Sequence, residues 1–143
     1  MLLGAVLVVC ACGAAEENVR DEAPATGAVL TAPGSGLTEA GHYRLSLRPR
    51  DGEIPLGRLH AWVVTTETPQ GQRFAPSHLW MGGGMPQHAH GFTTEPRVTG
   101  AMGEGEFLVE GVRFHMSGDW VLRIELVGPA GPDAAEFHVQ VGP

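Results

Sequence analysis

Thioether and imidazole side chains are concentrated in one stretch of the chain, Met81-Gly-Gly-Gly-Met85-Pro-Gln-His88-Ala-His90-Gly91. Thioethers favour cuprous copper and imidazoles serve either oxidation state, so these donors suit copper first and zinc second. In an extended His-x-His segment the two imidazoles point to the same side, as residues i and i+2 do in a strand. A second pair, His115-Met116, stands just before the turn signal Ser117-Gly118. In a sandwich of strands this pair would end beside the glycine-rich loop and close a site from two distant segments. The candidate ligands are therefore Met85, His88, His90, His115 and Met116, and the group they would hold is a copper ion.

Each of these residues also has a plain structural use. Met116 shares the phase of Phe114 and reads more readily as core than as ligand. Met81 continues an apolar strand and reads as core. His88 and His90 read equally well as solvated loop residues. His60, His78 and His138 lie on strands away from the glycines, where surface or satisfied core positions are the expectation. His42 carries no signal either way. Trp80, beside the loop, would favour a recognition surface if it is exposed.

Other chemistry is absent from the pattern. There is no Gly-x-Ser-x-Gly elbow, no phosphate loop and no His-Glu-x-x-His. Ser117 lies near His115 but has no evident acid partner. The expectation is a binding module, not an enzyme. A net charge of −7 leaves no basic face for nucleic acid.

The beginning of the chain speaks to compartment. Met1 to Ala11 is an apolar run, too short for a permanent bilayer helix but suited to a signal-peptide core. It ends Val9-Cys10-Ala11-Cys12-Gly13, which resembles a bacterial lipobox with Cys12 as the acylated residue. No Lys or Arg precedes the apolar run, which points to a start upstream of Met1; an ordinary signal peptide or a buried strand is the competing reading. The expected layout is a lipoprotein signal over 1–11, a lipid-anchored flexible tether over 12–40 and a folded domain over 41–143. That places the protein in the cell envelope, on the periplasmic face of a membrane, which is the outer membrane if the cell is Gram-negative. The tether assignment rests on a stretch of Ala, Glu, Pro, Gly, Ser and Thr with little to bury, though Val29-Leu30 would also suit a first strand. With Cys10 removed and Cys12 acylated, the domain has no thiol and no disulfide, so its stability must come from packing.

The elements that must position the donors are strands. Tyr43, Leu45 and Leu47 alternate with Arg44, Ser46 and Arg48. Residues 57–66 read as a strand apolar on both faces, and Ser77 to Met81 as a short strand ended by three glycines. Arg97 to Met102 and Glu106 to Met116 follow, the latter with a bulge expected at Gly111 because the apolar phase switches there. Trp120, Leu122, Ile124 and Leu126, then Phe137, Val139 and Val141, mark the two clearest strands. About seven short strands without a helical stripe predict an all-β, immunoglobulin-like antiparallel sandwich.

Three spaced patterns carry a family resemblance. They are Met85-Pro-x-His88-x-His90-Gly91, Gly105-x-Phe107-x-Val109-x-Gly111-Val112-x-Phe114-x-Met116-x-Gly118-x-Trp120-x-Leu122, and Phe137-x-Val139-x-Val141. Together they resemble the YtkA-like domain, a small exported immunoglobulin-like module, often a lipoprotein and FixH-like in character. The resemblance spans about Gly41 to Val141. It implies a β-sandwich and association with copper-handling or cytochrome oxidase-assembly proteins, with Met85, His88 and His90 matching the loop and Met116 and Trp120 the strand junction. His115 has no counterpart in that pattern. The alternative is a metal-independent interaction or accessory domain at the membrane surface.

Overall fold

The computed structural model describes residues 30–143; the signal-peptide segment, Cys12 and the first part of the expected tether lie outside the described residues. Ten strands form: β1 (Leu30–Thr31), β2 (Gly34–Leu37), β3 (Arg44–Pro49), β4 (His60–Glu67), β5 (His78–Met85), β6 (His90–Gly91), β7 (Arg97–Gly103), β8 (Glu106–Val112), β9 (Gly118–Gly128) and β10 (Gly131–Val141). They build two five-stranded sheets, ordered β1-β10-β9-β5-β6 and β2-β3-β4-β8-β7. All pairings are antiparallel except β1 with β10. The protein is an all-β sandwich. Among the described residues no helix is long and apolar enough to cross a membrane.

Period-2 alternation explains how the sheets face one another. Trp120, Leu122, Ile124 and Leu126 of β9 meet Leu45, Leu47, Trp62, Val64, Val109 and Val112 of the other sheet in one core. Phe137, Val139 and Val141 of β10 join it, while His138 and Gln140 stay exposed. In β4 the residues Ala61, Trp62, Val63 and Val64 are all buried, as the doubly apolar pattern predicts. The bulge at Gly111 is present: β8 pairs Val112 with His60 and Glu110 with Ala61, leaving Gly111 as the extra residue at φ +86°.

All seven expected strand segments form strands, and three short ones join them. Two of the additions, β1 and β2, belong to the sandwich although they lie ahead of the expected domain start at Gly41. Leu30 and Ala32 enter the core, and β1 pairs with β10 at Phe137 and His138. Gly36 of β2 leaves room for Leu30; a side chain there would collide with it. These strands are held mainly by backbone ladders, so the composition shows only the first of them, through the alternative of a strand at Val29-Leu30.

The glycine triplet is also different from expectation. Gly82, Gly83 and Gly84 do not end β5; they continue it to Met85. They do permit close approach. The Trp80 indole covers Gly82, the Phe92 ring covers Gly83, and the His90 carbonyl lies against Gly84. A Cβ at Gly83 would stand 2.8 Å from Phe92 ring carbons and 2.8 Å from the Val121 carbonyl oxygen. Gly83→Val is therefore expected to cost about 1–3 kcal/mol through overpacking. Urea denaturation checks this, and an unchanged midpoint would mean that Phe92 does not sit on β5.

Candidate functional site

The expected ligands arise at one end of the sandwich, where β5 leaves its sheet and returns as β6. Pro86–His88 forms one 3₁₀ turn, and Ala89 then adopts the left-handed conformation at φ 54°, ψ 31°. The Ala89 amide donates to the Pro86 carbonyl at 3.3 Å. The pairing of Met85 with His90 and of Gly84 with Gly91 closes the loop. The His88-Ala89-His90 segment is thus a turn and not the extended segment assumed from sequence. Its rings nevertheless lie parallel, with centroids 6.2 Å apart and planes 10° apart. A non-glycine residue in this region is strained by about 1–2 kcal/mol.

His115 reaches the same place from the segment between β8 and β9. Its ring centroid lies 6.2 Å from that of His90, at 69°, and 5.2 Å from Trp120, at 84°. The Nδ1 atom of His115 is buried and has no hydrogen-bond partner. The three imidazoles therefore stand in series, His88 to His90 to His115. Among the described residues no three His, Cys, Asp or Glu side chains converge on one point as a preformed metal site.

The two methionines part company. Met85 is 1% exposed and belongs to the core. Its Cε would be 2.9 Å from a Cβ at Gly118, whose φ is +125°. The expected thioether of the loop motif is turned inward, because Met81, Gly83 and Met85 share the inner face of an uninterrupted β5. Met81 is core, as expected. Met116, read as more core than ligand, is instead 38% exposed. Strand β8 stops at Val112, so Met116 no longer follows the phase of Phe114. Its carbonyl accepts the Trp120 indole N–H at 3.0 Å.

Behind the histidines lies an aromatic cluster. Phe92 stacks on Trp120 at 5.5 Å and 18°, and Phe114 meets Trp120 edge-on at 5.2 Å and 64°. Trp120 was legible as core. Phe92 was not, and the only hint of it was the glycine opposite. The cluster gives the histidine end a rigid, apolar floor.

The remaining histidines have other work. His60 accepts the Trp62 indole N–H at Nε2, 3.0 Å, and its Nδ1 lies 3.2 Å from the Arg58 carbonyl. That assigns a neutral ring with the proton on Nδ1. Burial pushes its pKa below the usual value. His78 and His138 are exposed, and His42 lies 3.7 Å from the Asp133 carboxylate.

A second feature adjoins the site. Trp80 is 43% exposed. It borders a groove of about 620 Å³ between β5 and the segment from Phe92 to Arg97. Searches of family models, curated proteins and solved structures gave no match to this chain.

Proposed function

We propose that the protein is a metal-binding module of the cell envelope, tethered through Cys12, that holds and releases a copper ion at its histidine end. The observation that carries this reading is the series His88–His90–His115 together with the buried, unpartnered Nδ1 of His115. A buried ring nitrogen without a partner is costly, and a metal ion is one partner that would remove the cost. Copper suits imidazole donors, and the resemblance of the spaced residues above to YtkA-like modules points the same way. No catalytic role is assigned; membrane-bound copper-handling or oxidase-assembly proteins are the proposed partners.

The test is calorimetric titration of the full chain with copper. Any shortened form must keep Leu30, since β1 and β2 are part of the sandwich. One-to-one binding is expected in the wild type and its loss in the His88→Ala/His90→Ala double variant, with the thermal melt unchanged. Equal affinity in that variant would remove the proposal. A second reading, a recognition surface without metal, is favoured by the exposed Trp80 and its groove. It gains if no copper binds.

A further inference from the structure

Independently of any metal at the histidine end, we infer that the open edge of β5 is a docking site for an extended segment of a partner protein that carries basic side chains. Strand β6 pairs with β5 only at Gly84 and Met85, and the Phe92 amide adds one bond to the Gly83 carbonyl at 3.1 Å. The polar groups of alternate residues in a strand point to the same side, so those of Leu79 and Met81 face the edge that β6 does not reach. Among the described residues they have no ladder partner there. The strand is nonetheless regular, in continuous register with β9 from His78 to Gly84.

Exposed edges are ordinarily guarded by charged side chains, proline or bulges. The stretch from His78 to Gly83 contains no Asp, Glu, Lys, Arg or Pro and has no bulge against β9. Beside it lies the groove of about 620 Å³, with Trp80 to Gly83 on one wall and Phe92 to Arg97 on the other. An unguarded edge along a groove is the arrangement on which extended segments add a strand. Main-chain bonds then give affinity, and alternate side chains give specificity.

Charge selects the occupant. The six-membered ring of Trp80 lies across Gly82, and the residue is still 43% exposed. Its cross-strand neighbour is Glu125, and that of Gly82 is Arg123. Arg123 is shared by Glu125 at 2.9 Å, Glu39 at 3.0 Å and Glu136 at 3.3 Å, so three carboxylates surround one guanidinium and this face stays negative. On the groove side, Glu95 and Arg97 offset each other at 3.0 Å. A strand added to β5 would lie about 10 Å from β9, two strand spacings away. A Lys or Arg on it would cross the indole, which attracts cations, and meet the carboxylates beyond. An acidic segment would be repelled at the same place.

The experiment uses the full chain without copper and two seven-residue peptides, one alternating Lys with Val and one alternating Glu with Val. Trp62 and Trp120 are wholly buried, so a change in tryptophan emission on titration reports Trp80 and is expected to vanish in Trp80→Phe. The Lys peptide is expected to bind about tenfold more tightly than the Glu peptide. It is also expected to slow hydrogen exchange at the Leu79 and Met81 amides, and methylating its edge-facing backbone nitrogens should abolish that protection. Glu125→Gln/Glu136→Gln, at two exposed positions, is expected to weaken the Lys peptide about two- to fivefold with the thermal melt unchanged. Binding without protection of these amides would be attraction to an acidic surface alone and would overturn strand addition. Equal affinity for the two peptides would overturn the basic partner. If the free chain sediments as a dimer with both amides already protected, a second copy takes the edge and the inference is wrong. If the Lys peptide fails to bind at millimolar concentration, the docking site falls while the copper reading is untouched.

Discussion

Trp120→Ala is expected to lower stability by about 3–5 kcal/mol. Trp120 is wholly buried, stacked on by Phe92, met edge-on by Phe114 and His115, and hydrogen-bonded through its indole to Met116. Truncation removes the ring and leaves a cavity that three fixed neighbours cannot fill. It also leaves the Met116 carbonyl without its donor. A domain of this size has about 5–15 kcal/mol in total, so this one change approaches the limit of folding. The floor beneath His115 goes with it, and under the proposed copper function affinity is expected to fall even where the variant still folds. Urea denaturation and near-ultraviolet circular dichroism check the first part. A loss below about 1 kcal/mol would contradict the packing of β9.

The second large effect is expected at Asp133→Ala, far from the histidines. The Asp133 side chain is 3% exposed. It accepts the Thr38 hydroxyl at 2.6 Å and the amides of Ala40 at 3.1 Å, His42 at 3.2 Å and Ala134 at 2.8 Å. Thr38 in turn takes the Tyr43 amide, while the Tyr43 hydroxyl donates to Gly131 and accepts from Ala130. This one carboxylate ties the β2–β3 connection to β10 across the sandwich. Its loss leaves several donors without acceptors and is expected to cost about 2–4 kcal/mol. Burial alone would raise the Asp133 carboxyl, but the bonds from Thr38, Ala40, Ala134 and His42 outweigh it and hold its pKa below the ordinary value. The unfolded chain then binds the proton more readily than the folded one. The stabilisation is complete above the ordinary value of 3.8 and is lost as pH falls through the lower folded value. Acid unfolding of Asp133→Asn should lose that part of the pH dependence. A profile matching the wild type would place the acid sensitivity elsewhere.

How much of this was written visibly in the chain depends on the kind of interaction. The strands holding Trp120 to Leu126 and Phe137 to Val141 were legible because side chains alternate between water and core. So was the bulge at Gly111, since an apolar phase switch needs one extra residue. Strand β1 was legible only as the alternative at Val29-Leu30 and β2 not at all, because a backbone ladder leaves no trace in side-chain pattern. The strand through Gly82–Gly84 was hidden for another reason: the rings that complete it belong to Trp80 and Phe92, and glycine names no partner. That misreading also put Met85 among the ligands, since the alternation Met81, Gly83, Met85 faces inward only if β5 continues. The Asp133 network joins residues 95 apart in sequence, and no local pattern marks a contact at that separation.

Strand β7 is the exposed edge of its sheet, with all seven residues accessible. It carries two extra residues against β8, Thr99 between Val98 and Gly100 and Met102 between Ala101 and Gly103. A neighbour that tried to zip onto this edge would meet amide and carbonyl groups out of step twice within two turns of the pleat. An even, fully exposed edge would offer a second copy a complete ladder of amide and carbonyl groups. The uneven spacing of β7 therefore opposes edge-to-edge pairing with a second copy.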